Sequence, residues 1–209
     1  MKRLYTLGIS IFVSLHLFAQ KGDKEGIRSL FTQANLMMHE HYNDSALKTF
    51  IRLYNMDQEN ANVCYFIGQL YLETPAHKAD ALPYLEKAAS KVVTKYLPDD
   101  AYEKGAPAPA YYYFARALHL NYQFSDAIVN FNLFKKMLSK NDGRQKDIDY
   151  WINCCNNGTE LMKMPVDCKV VNIGDSVNGK YPDYSPVITA DEQQIIFTSR
   201  RLGGMNDST

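Results

Sequence analysis

Small side chains recur in the same order three times along the first two thirds of this chain, the first two sets 34 or 35 residues apart, and that pattern restricts its fold more than any other feature. Ala34 and Gly68 lie 34 positions apart, Ala46 and Ala81 lie 35 apart, and the second pair is followed four residues later by Phe50 and Leu85. Ala115, Ala127, Phe131 and Phe134 repeat the same order further on. Helices that cross closely need a small residue at the crossing and large ones beside it. One amphipathic helix pair cannot bury its apolar face alone, so a period of this length predicts stacked helix pairs.

The apolar pattern predicts helices near 25–38, 43–56, 61–73, 77–95, 109–121, 124–139 and 145–162. Asn43 and Asp44 suit the cap of the second, Pro75 the break after the third, and Ser125 or Asn121 the cap of the sixth. The segment Glu103–Pro109 reads as an inserted loop that widens the spacing from Gly68 to Ala115 to 47 positions. Such an insertion leaves the stack intact, because loop-closure entropy grows slowly with length. The seventh helix carries Ile148, Trp151, Ile152, Cys155, Thr159 and Met162 at a spacing that covers the open end of the last pair. After Pro165 the character changes: Val170, Val171 and Ile173 read as one strand, Pro186–Ile188 as a second and Ile195–Ser199 as a third.

Lys2 and Arg3, the apolar run Leu4–Leu17 and Ala19 read as a secretory signal peptide over 1–19. The full chain has 23 basic and 23 acidic side chains; removing Lys2 and Arg3 leaves 21 against 23. Near-neutral charge supplies no basic field for a nucleic acid backbone, and none is expected as a partner. Export permits a disulfide from Cys154 or Cys155 to Cys168, and buried free thiols are the competing reading.

The helical copies resemble tetratricopeptide repeats. The first spans about 27–60, with Leu30, Ala34, Met37, Ala46, Phe50 and Leu53; the second has Cys64, Ile67, Gly68, Tyr71, Ala81, Leu85 and Ala88; the third has Tyr111, Phe114, Ala115, Leu118, Ala127, Phe131 and Phe134. The segment from Asn172 to Ile188 followed by Ile195–Arg200 is similar to the opening of a WD40-like propeller of the PD40 kind, with Asp191-Glu192 where that family has an Asp-Gly turn. The resemblance implies a mainly α chain: a signal peptide over 1–19, a tetratricopeptide-like solenoid with a capping helix over 24–164, and part of a propeller over 166–209. This order resembles the front of exported multidomain proteins of the Bacteroidota. It implies a periplasmic or peripherally outer-membrane-associated scaffold, connected with type IX secretion or gliding. Alternatively, it implies an envelope anchor that holds peptidoglycan through an OmpA-like domain outside these 209 residues.

Carried onto this chain, the family's concave face selects Arg28, Phe31, Asn35, Met38 and His39 from the first copy. It selects Asn62, Tyr65, Gln69 and Leu72 from the second, and Tyr112, Arg116 and His119 from the third. Amides, aromatic rings and guanidinium groups suit an extended peptide or helix of another envelope protein. The plainer reading is that some of them solvate the face or pack on the seventh helix. Tyr111, Tyr112 and Tyr113 point around three sides of one helix, so at least one is expected exposed or against the insertion.

No enzymatic constellation stands out, and no metal or cofactor is expected. The histidines are scattered, Asp99 with Asp100 and Asp147 with Asp149 read as solvated carboxylates, and Ser185 and Ser199 have no base beside them. Asp175, Asn178, Asp183 and Asp191 read as turn residues, since their spacing does not fit a calcium loop.

Overall fold

A computed structural model describes residues 25–202; the leader read at 1–19 and the run from Gly203 lie outside the described residues. The chain divides after Met164 into two compact units. The first is helical: α1 (25–39), α2 (Asn43–Met56), α3 (Ala61–Glu73), a 3-10 turn (Pro75–Asp80), α4 (Ala81–Ser90), α5 (Pro109–Leu120), α6 (Phe124–Met137) and α7 (Arg144–Met162). None of the described helices is long and apolar enough to cross a membrane.

Packing from α2 onward runs mainly between sequence neighbours, α2 on α3, α3 on α4, α4 on α5, α5 on α6 and α6 on α7. The core is accordingly a succession of local clusters. Phe31, Phe50, Leu53, Ile67 and Leu70 form one, with Phe50 stacked on Phe66 at 4.8 Å. Leu72, Ala81, Leu85 and Ala117 form a bridging one, and Phe124, Phe131, Phe134, Ile148 and Cys155 a third. The recurring small residues Ala34, Ala46, Gly68, Ala81, Ala115 and Ala127 are all buried. Gly68 shows why: a Cβ placed there would lie 2.3 Å from Cγ of Leu85.

Several boundaries differ from expectation. The fourth helix stops at Ser90, because Val92 leaves to form a parallel bridge with Ala106, Val93 N–H donating to Ala106 O at 3.0 Å. Its front becomes a 3-10 turn behind Pro75, as the expected break after α3 requires. Asn43 lies inside α2 and donates to Glu73 at 3.1 Å instead of capping. Neither Ser125 nor Asn121 caps α6; the Asn121 amide donates to Ala117 O at 2.8 Å. The one side-chain N-cap among the described α-helices from α2 onward is Asn60, whose carbonyl accepts from Val63 N–H at 3.0 Å. Asn60→Ala is expected to lower stability by about 1 kcal/mol in a chemical denaturation curve.

The insertion returns to the front of α3. Lys104 O accepts from Ala61 N–H at 3.0 Å, and its ammonium pairs with Asp57 at 2.7 Å. Tyr96 donates its hydroxyl to Asn62 at 2.8 Å. Asn62 is fully buried, with its Nδ2 unpaired. Tyr96→Phe would leave both ends of that amide without a partner, an expected loss of about 1–3 kcal/mol. Asn62→Leu combined with Tyr96→Phe removes the mismatch and should restore most of that loss; calorimetric unfolding of the three variants checks both.

In the second unit β1 (Asp183–Ile188) pairs antiparallel with β2 (Ile195–Ser199). The register breaks between Tyr184 and Val187, where Ser185 takes φ 50° before Pro186. Glu192 adopts φ 58°, the conformation a glycine would take with least strain, and Asp191 accepts from Gln193 N–H at 3.2 Å to hold the turn. Arg201 donates to Val177 O at 2.8 Å and to Asp183 at 3.0 Å, which gives Asp183 a structural partner. Val170, Val171 and Ile173, expected as a strand, are exposed and irregular. A strand needs a neighbour for its N–H and C=O groups, and the described sheet has only two members.

Candidate functional site

A cleft with tyrosine walls, of about 300 Å³, lies among α3, α5, α6 and α7 of the helical unit. Tyr65 enters from α3, Pro109, Tyr112 and Tyr113 from α5, Phe134 from α6, and Arg144 and Asp147 from α7. The rings meet at steep angles, Tyr65 on Tyr113 at 5.7 Å and 69°, Tyr112 on Tyr113 at 5.5 Å and 84°. Tyr112 also packs edge-on to buried Phe131 at 5.7 Å, so the wall is anchored in the core.

Burial raises the Tyr65, Tyr112 and Tyr113 phenols above the ordinary tyrosine value, and nearby negative charge adds to it: Asp147 acts on Tyr112, Glu73 on the other two. All three hydroxyls therefore stay protonated at neutral pH and are available to donate. Tyr112 donates to Asp147 at 2.7 Å. Arg144 is held by Asp142 through two side-chain hydrogen bonds, Nε at 2.9 Å and Nη2 at 2.6 Å, and these bring the Asp142 carboxyl down to about 2. Because that value lies below the 3.8 of a free carboxyl, the pair is complete above about pH 4 and is lost as the pH falls towards 2.

Of the residues selected for the concave face, Tyr65 and Tyr112 come together in this cleft. Arg116 lies behind it, its guanidinium 4.1 Å from the Trp151 ring centroid and 3.5 Å from the Tyr112 hydroxyl. His119 packs edge-on to Trp151 and to Phe124, both at 5.4 Å. Arg116 and His119 thus pack on the seventh helix, while Tyr112 lines the cleft. Phe31, Asn62 and Leu72 are buried and correct the expectation of an outward position: Phe31 sits edge-on to Phe50, Asn62 under Tyr96 and Leu72 against Ala81 and Leu85. Asn35 spends its amide on Phe31 O at 3.1 Å, Gln69 approaches Glu73 at 3.4 Å, and Arg28 lies over Tyr102 at 5.7 Å. Met38 packs against the first cluster and His39 is exposed; neither lines the cleft.

Sequence reasoning missed Tyr113, Phe134, Arg144 and Asp147 as cleft residues. The run of three tyrosines was a usable signal, but all three prove half-buried and none is fully exposed. Asp147 and Asp149 are both exposed, as the solvated reading expects; Asp149 pairs with Lys135 and Asp147 accepts from the Tyr112 hydroxyl. Cys64, Cys154 and Cys155 form no bridge within the helical unit, and the expected bond to Cys168 would join the two units. Cys64 and Cys155 are buried and raised to about 11 by that burial, so they stay protonated. The arrangement can hold a ligand by ring contact, hydroxyl donation and one carboxylate. No family model matches this chain, and comparison with curated proteins finds no match.

Proposed function

We propose that this chain is a non-enzymatic scaffold of the periplasm, whose helical unit is a tetratricopeptide-like stack that holds an extended segment of another envelope protein. The observation that carries the reading is the tyrosine-walled cleft assembled from four helices. Aromatic residues with polar tips, set on rigid elements, are what peptide-binding surfaces use. The second unit, read as the opening of a propeller, positions the helical unit within a larger envelope assembly, as in type IX secretion or gliding.

Photo-crosslinking residues placed at Arg144 and Asp147 in cells are expected to capture a common protein. The same residue placed at exposed Lys48 on α2 should not capture it, and Tyr112→Ala should abolish the adduct from both cleft positions. Equal adducts from Lys48, or none from the cleft, would refute the reading.

A further inference from the structure

The charge around the cleft is unevenly compensated. Arg144, the cation of its lining, is committed to Asp142 through the paired hydrogen bonds given above. Asp147, the carboxylate of the lining, has no ion pair among the described residues; its partner is the neutral Tyr112 hydroxyl. Glu73 is in the same position. Its carboxylate accepts from Asn43 at 3.1 Å and Gln69 at 3.4 Å, both neutral, and its negative charge is felt by Tyr65 and Tyr113. Two carboxylates without ion pairs among the described residues therefore act on the tyrosines, Asp147 from the lining and Glu73 from outside it, with Arg116 as the opposing cation.

The walls favour the same sign. The three tyrosine rings line the cleft at 69° and 84° to one another. Ring faces carry negative potential, and tyrosine is a good partner for a cation within about 6 Å of its centroid. The back of this wall already holds one: the Arg116 guanidinium lies 6.0 Å from the Tyr112 centroid and 4.1 Å from that of Trp151, outside the lining of the cavity. An anionic group would instead meet Asp147, with Arg144 already neutralised by Asp142.

We infer that the cleft selects a basic side chain, lysine or arginine, carried by an extended partner segment. The cation sits against Tyr65, Tyr112 and Tyr113 and is balanced by Asp147. This rests on the reading of the cleft as a peptide site and adds what that peptide must contain.

The test uses the full chain and a decapeptide of alanine, serine and proline with one central position varied: lysine, norleucine, N-acetyllysine or glutamate. Trp151, the chain's single tryptophan, reports binding by fluorescence, with two-dimensional NMR of the cleft as a second readout. The lysine peptide is expected to bind about tenfold or more tightly than the norleucine and acetyllysine peptides. Asp147→Lys, at an exposed position and checked for unchanged helicity, is expected to erase that preference. Equal binding of lysine and norleucine peptides, both lost in Tyr112→Ala, would overturn the charge selection while leaving a peptide cleft. Preferential binding of the glutamate peptide, or a lysine preference that survives Asp147→Lys, would also overturn it. Failure of every peptide to bind would overturn the inference and the peptide-site reading together.

Discussion

Phe131→Ala is expected to lower the unfolding free energy of the helical unit by about 3–5 kcal/mol, the usual cost of deleting a fully buried ring. Phe131 has no exposed surface. It lies near-parallel to Trp151 across α6 and α7, with 6.4 Å between centroids and 14° between planes, and Tyr112 of α5 abuts it edge-on. One truncation therefore opens a cavity where three helices meet, and packing in a dense interior relaxes only partly around it. The effect should appear twice, as a fall in denaturation midpoint by circular dichroism and as a change in Trp151 emission in the native state. Val129→Ala, two residues earlier on α6 at a position 56% exposed, serves as the control and should stay within about 0.5 kcal/mol. A loss below 1 kcal/mol for Phe131→Ala would mean that α6 and α7 do not enclose that ring.

The second large effect is a coupling. Gly68→Ala places a methyl 2.3 Å from Cγ and 2.6 Å from Cδ2 of Leu85, a fully buried side chain with no room to retreat. Helix propensity favours alanine over glycine by about 1 kcal/mol, so propensity alone forecasts stabilisation. Overpacking opposes it, and at these distances it dominates: a net loss of about 1–3 kcal/mol is expected. Leu85→Ala alone should cost about 2–5 kcal/mol by leaving a cavity. In the double variant the new methyl enters the space that leucine vacated. The combined cost should then fall short of the sum by about 1–3 kcal/mol, measured as a double-mutant cycle in urea. Additive losses would show that Gly68 and Leu85 do not touch.

That contact was legible from spacing, and the reason is local. Ala34, Gly68 and Ala115 stand out because a helix stack repeats one demand, close approach, in every helix pair, and only small residues meet it. The helices at 43–56 and 61–73 could be bounded because apolar period and breakers such as Pro75 act within a few residues. The fourth helix was drawn too long for the opposite reason. Lys91–Lys95 continue the chain with no breaker, and what ends the helix is Ala106, fifteen residues beyond Lys91. The cleft was half legible. Tyr65 and Tyr112 stand at positions that the tetratricopeptide resemblance marks as outward, whereas Phe31 and Asn62 hold the same nominal face and are covered by Phe50 and by Tyr96 of the segment after α4.

The order and type of the helices, and the small residues at their crossings, belong to the sequence itself, because each depends on side chains within one or two turns of one another. Which of the outward residues reach solvent depended on contacts across 30 or more positions, Tyr96 with Asn62 and Asp147 with Tyr112. Those pairs are set by where an inserted loop and a seventh helix come to rest. No periodic pattern encodes that, so the cleft and the carboxylate that lines it emerge once the chain is packed.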